Sequence, residues 1–210
     1  MSIDVLYLVT IILVVLISMT LHEMAHAYVA FWLGDYTPKA QGRLSPNPLK
    51  HIDPFMTLIM PVALAVAGLP IFGGAKPVQI NPLKIRYHEW GMALIAICGP
   101  LTNLIIAFLS FVFLYYLGVQ MSPFWFDTLL VVVHVNLGFF VFNLIPIPPL
   151  DGSRVVYALA PEPVQRGMEW IERFGIVFVF VVVMMLSPYI STFVGGAVNG
   201  VLDVFQKLMI

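Results

Sequence analysis

Five long apolar runs dominate this sequence, at about 5–33, 54–73, 90–117, 124–146 and 174–195. Each is close to or above the roughly 20 residues of helix that cross the hydrocarbon core of a bilayer. Backbone placed in hydrocarbon must satisfy every N–H and C=O within its own segment, so such runs fold as helices. Composition points the same way: 60% of the residues are hydrophobic, 10% are charged, and mean hydropathy is +0.97. An ordinary soluble domain is about 25% charged. The expected architecture is an all-α polytopic membrane protein with lipid as its solvent, built as a single membrane-embedded unit over residues 1–210. The first run is preceded by no basic stretch, only Asp4, and is expected to stay in the mature protein rather than be removed as a signal peptide. A net charge of −1 excludes nucleic acid as a partner. The single cysteine, Cys98, excludes an intramolecular disulfide and a cysteine-based zinc site, and reads as a small apolar filler beside Gly99.

Segment 54–73 differs from the other four. Pro54, Pro61, Pro70, Gly68 and Gly73-Gly74 interrupt it, which a regular spanning helix does not tolerate well. If it crosses the bilayer, the ten Lys and Arg residues divide six to four between the two sides. If it enters and returns on one side, loops 34–53, 74–89 and 147–173 share a face that holds nine of the ten, leaving Lys207 opposite. The positive-inside rule favours the second arrangement. The expectation is therefore about four spanning helices plus a re-entrant segment, with short extended stretches near the site and five to six hydrophobic segments as the wider range. The N-terminus then lies outside.

Inside the first run sits His22-Glu23-Met24-Ala25-His26. Residues four apart share one face of a helix, so both imidazoles can converge on one metal ion. Glu23 lies one residue further round, within reach of the proton of an attacking water. With five His and five Glu in the chain, chance gives roughly 0.003 occurrences of this pattern, which is otherwise weak by itself. Three ionisable groups in a membrane helix are also costly and mark function, although a structural polar cluster is the bland alternative. Hydrolytic zinc sites use three protein ligands and leave a fourth position open. His51 and His88 lie in polar loops and are expected to be solvated there. Asp151 is the better third ligand: it follows an apolar span, and Pro146, Pro148 and Pro149 stop that helix from continuing. Its alternative role is a helix N-cap before Gly-Ser-Arg. At 1.5 Å per residue, residues 5 to 22 rise about 26 Å, which puts the motif near the inner end of a ~30 Å span. Asp151 reaches that same end in the re-entrant arrangement.

Three motifs, His22-Glu23-x-x-His26, Gly99-Pro100-Leu101-Thr102-Asn103 and Asn143-x-x-Pro146-x-Pro148-x-Leu150-Asp151-Gly152, resemble the signatures of the site-2 protease family of intramembrane zinc metalloproteases. Gly73-Gly74-Ala75-Lys76-Pro77-Val78 resembles a segment of its compact prokaryotic members, the type without a PDZ or CBS domain. The resemblance implies Zn2+ bound by His22, His26 and Asp151, with Glu23 as catalytic acid and base. It also implies that Asn143 and Asn103 orient substrate or stabilise the oxyanion. The implied activity is hydrolysis of peptide bonds of transmembrane protein substrates within or at the edge of the bilayer. The implied location is the prokaryotic inner membrane, with the site toward the cytoplasmic side.

Other polar residues carry plainer readings. Asn103 is as well explained by a hydrogen bond between helices. His134 and Asn136 read as helix–helix hydrogen-bonding residues. Residues 160–173 read as a short interfacial helix with Trp170 at headgroup level, or as a charged connector. Lys76–Ile80 reads as extended and able to pair with a substrate strand. An ion-coupled transporter would use intramembrane His and Glu, but no halved repeat is visible. A non-catalytic metal-binding protein would not need Glu23. Intramembrane serine or aspartyl chemistry lacks its residues, since there is no Gly-x-Ser-x-Gly and no pair of intramembrane aspartates.

Overall fold

A computed structural model of the chain describes residues 5–66 and 74–209. They form helices and connecting turns, with no strand among the described residues. Helix α1 spans Val5–Trp32, and a short α2 (Thr37–Ala40) follows. A π-helical turn (Pro54–Ile59) leads into α3 (Met60–Val66). Then come α4 (His88–Leu117), α5 (Pro123–Asn143), α6 (Asp151–Leu159), α7 (Glu162–Glu172) and α8 (Gly175–Met209). Among the described residues, four helices, α1, α4, α5 and α8, are long and apolar enough to cross a membrane. The chain is an integral membrane protein of the all-α polytopic class.

The expected re-entrant segment 54–73 falls partly on residues that are not described, 67–73, but the described residues that flank these meet. Gly74 N–H donates to Met56 O at 3.2 Å, the Thr57 hydroxyl donates to Gly74 O at 2.7 Å, and Lys76 N–H donates to His51 O at 2.9 Å. Loops 34–53 and 74–89 also touch directly. The Gln41 amide donates to Gln79 Oε1 at 2.8 Å, and the buried Arg43 guanidinium bridges the carbonyls of Lys50 and Lys76. This stacking buries His51 completely, with Nε2–H donated to Ser45 O at 2.8 Å, so the expectation that His51 is solvated is corrected. His88, by contrast, is exposed at the start of α4.

Helix α4 is the centre of the bundle and packs against α1, α5 and α6. Where α4 meets α5 and the second half of α8, Ala107, Val133, Leu137, Val141, Val198 and Phe205 form the larger apolar core. A second cluster of Ala30, Leu33, Ile85 and Ile95 fastens the loop before α4 beneath the end of α1. The buried Asp35 locks that junction by accepting from Asn81 N–H, Thr37 N–H and the Thr37 hydroxyl at 2.6–3.0 Å. Burial alone would raise its carboxyl. The donors from Asn81 and Thr37, with the Lys84 charge, hold it below the ordinary carboxylate value instead.

Helix α8 runs to residue 209, past the apolar segment expected to end near 195. Gly196, Asn199, Gly200 and Asp203 break the uniform hydrophobicity, yet Val198 and Phe205 still face the core. The helix continues because one of its faces is covered. Helix α7 falls in the stretch expected to be interfacial, and Trp170 lies exposed with its ring 4.9 Å from that of Phe174.

Candidate metal centre

The two histidines of α1 sit one helical turn apart and point the same way, both buried. Their Nε2 atoms are 3.0 Å apart. Asp151 comes from the first turn of α6, and its Oδ2 lies 3.1 Å from His22 Nε2 and 3.4 Å from His26 Nε2. The N-cap of α6 is Leu150, and no side chain caps the helix, so the Asp151 carboxylate is turned toward the imidazoles rather than onto backbone. Gly152 permits this approach, because a Cβ there would lie 2.2 Å from Leu144 O. Only a residue without a side chain lets α6 fold back over the end of α5.

The outer nitrogens decide the chemistry of the inner ones. His26 Nδ1–H donates to Ile95 O at 2.7 Å, and His22 Nδ1–H donates to Asn103 Oδ1 at 2.6 Å. A neutral imidazole that donates from Nδ1 has only a lone pair at Nε2. Two lone pairs and a carboxylate oxygen therefore face one another at 3.0–3.4 Å. Asp151 Oδ2 is shut off from solvent and has no hydrogen-bond partner among the described residues. Such a triangle of acceptors invites a cation. A tetrahedral zinc ion with ligands at about 2.0–2.1 Å sets its ligands about 3.3–3.4 Å apart, close to the observed edges. The donor set, two neutral imidazoles and a carboxylate, also suits zinc.

Glu23 stands beside the triangle, its carboxylate within 4.8 Å of the ligand atoms of His22 and His26. Its Oε2 accepts from Val78 N–H at 3.1 Å. No sequence signal announces that contact between residues 55 positions apart. All four residues open onto a cavity of about 610 Å³, lined further by Asn143, Val78, Pro149 and Arg154. Arg154 is paired there with Glu172.

Helix α4 closes the opposite side. A Cβ on Gly99 would lie 2.4 Å from His26 Nε2 and 2.7 Å from His22 Cε1, so the backbone itself passes over the imidazoles. Pro100 follows without a helical N–H. Cys98 is not inert filler in position, since its thiol donates to Ile95 O at 2.8 Å and its sulfur is 3.7 Å from His26 Nδ1.

The asparagines separate. Asn143 lines the cavity and donates from Nδ2 to Phe139 O at 3.0 Å. Asn103 is fully buried behind His22, away from the cavity lining, and donates to Asn136 Oδ1 at 2.8 Å. Asn136 makes the helix–helix bond expected of it, whereas His134 donates to Leu130 O within its own helix.

Comparison with known proteins agrees with this chemistry. The family model described as peptidase family M50 matches residues 118–186. YwhC of Bacillus subtilis (strain 168), by name a candidate zinc metalloprotease, is 40% identical over 205 residues, 94% of this chain and 89% of the relative. Rip2 of Mycolicibacterium smegmatis, of the same designation, is 31% identical over 84% of this chain and 66% of the relative. Rip2 of Mycobacterium tuberculosis (strain H37Rv) is 27% identical over 90% of this chain and 71% of the relative. No solved structure matches the chain at a significant level.

Proposed function

This chain belongs to peptidase family M50 as a membrane-embedded zinc metalloprotease, and from that premise we propose that it hydrolyses peptide bonds of transmembrane protein substrates within or at the edge of the bilayer. The observation that carries the reading is the triangle of His22 Nε2, His26 Nε2 and Asp151 Oδ2. It lies on a cavity inside the helix bundle, beside Glu23. These three residues would hold zinc. When bound, zinc supplies Lewis acidity, polarising a carbonyl and bringing the pKa of a water toward ~7.

The protein's own residues do the rest. Glu23 takes the proton of the attacking water and returns it to the leaving amine. Val78 N–H holds Oε2, which leaves Oε1 to take that proton. Asn143 spends one Nδ2 hydrogen on Phe139 O and keeps the other for the developing oxyanion. Backbone amides in an intact transmembrane helix are hydrogen-bonded and shielded, so a substrate has to unwind before attack. The irregular stretch Lys76–Ile80 at the cavity is suited to hold the unwound strand. The re-entrant arrangement, with nine of ten basic residues on one face, supports a site toward the cytoplasmic side of the prokaryotic inner membrane.

Zinc content and cleavage of a generic transmembrane substrate, measured on the same preparations, test the reading. Glu23→Gln is expected to retain zinc and lose at least about 10²-fold in rate. His22→Ala, His26→Ala and Asp151→Ala are expected to lose both zinc and cleavage. Full activity in Glu23→Gln would overturn the mechanism.

A further inference from the structure

Behind His22 runs a chain of buried polar side chains that crosses three helices and ends on a backbone carbonyl. Asn103 Oδ1 accepts from His22 Nδ1–H at 2.6 Å, and Asn103 Nδ2 donates to Asn136 Oδ1 at 2.8 Å. Asn136 Nδ2 donates to Val132 O at 2.8 Å and to Ser18 Oγ at 2.9 Å. Asn103 and Asn136 are fully buried, and Ser18 nearly so.

We propose that Asn136 is a positioning residue of the metal centre, which acts through Asn103 to determine which nitrogen of His22 is bare. The inference rests on the reading of His22 as a zinc ligand. A carbonyl can only accept, so Val132 O requires the amide nitrogen of Asn136 on its side. That turns Asn136 Oδ1 toward Asn103, where only a donor can meet it. Asn103 is thereby turned with Oδ1 toward His22, and Nδ1 of the imidazole has to carry the proton. Nε2 is left as a lone pair on the side of His26 and Asp151. Each amide could be flipped by itself, but no single flip is allowed once the carbonyl at the end is fixed. His26 reaches the same state more directly, through Ile95 O. His22 has no backbone carbonyl at its Nδ1, and the two asparagines extend one to it.

A polar relay responds to substitution in a way that packing alone does not. With Asn136→Leu, Asn103 loses its reference and can present Nδ2 to His22, which favours the tautomer that cannot bind metal through Nε2. Zinc affinity of the full chain in detergent, measured by chelator competition, is expected to weaken about 10- to 100-fold. Adding Asn103→Asp in that background should restore affinity to within about threefold of wild type, because a carboxylate accepts at both oxygens and needs no reference. Ser18→Ala should also stay within about threefold, since Val132 O still orients Asn136. Asn136→Ala serves for the same comparison if Asn136→Leu does not accumulate as folded protein. Wild-type affinity in the Asn136 variant, or a loss that Asn103→Asp does not restore, overturns the relay. His22→Ala provides the separate check. If it binds zinc like wild type, the ligand reading falls and the relay with it. If it loses zinc while Asn136→Leu does not, the relay alone falls.

Discussion

A methyl group at position 99 would lie 2.4 Å from His26 Nε2, so Gly99→Ala must move α4 off α1 or turn the imidazoles away from Asp151. Outer-shell disturbances of this kind weaken metal binding about 10- to 100-fold. The variant is therefore expected to keep its helical circular dichroism while zinc affinity falls by that amount in chelator competition. An unchanged affinity would mean that the imidazoles are free to move aside. His22 and His26 were legible because both lie on one helix, where spacing alone sets geometry. Asp151 was legible as a carboxylate stranded after a proline-stopped helix. The need for glycine at 99 was not, because the clash arises only when a residue 73 positions away is folded against it.

At the scale of elements, the junction between α1 and the loop before α4 hangs on one carboxylate. Asp35 holds Asn81 and Thr37 with charge-assisted bonds, and its pKa lies below the ordinary value. A carboxylate depressed by folding contributes stability above its unfolded pKa of ~3.9 and loses that contribution as pH falls through the folded value. Asp35→Asn is expected to cost about 2 kcal/mol at pH 7. The difference from wild type should shrink as pH drops below about 4, read as the gap between the two thermal unfolding midpoints. A gap that stays constant with pH would show that the charge is not what holds the loop. The four spanning helices were readable because each apolar run is a local property of the chain. The end of α8 was not, because Val198 and Phe205 are defined as core only by the helices they meet.

For the whole molecule, the decisive question is which loops share a face. Gln41 and Gln79 bond to each other, and the described residues that flank 67–73 meet. Single cysteines at Ser45 and Gln79, in a Cys98→Ser background, are therefore expected to label from one side of the membrane, the cytoplasmic side. A cysteine at Gln120 is expected to label from the other. Labelling of Ser45 and Gln79 from opposite sides would mean that segment 54–73 crosses, and would move the metal centre toward the midplane. Charge bias made this arrangement visible in the sequence, while the contacts that close the loops are long-range and invisible to it.

One helix, α4, carries the outer partners of both imidazoles, Ile95 for His26 and Asn103 for His22, with Gly99 pressed between them. The proposed metal centre thus has a single point of failure that is chemically unlike a metal ligand. A wedge-shaped apolar molecule lodged between α1 and α4 would disarm the enzyme without any chelating group. A soluble zinc protease without that seam would be spared.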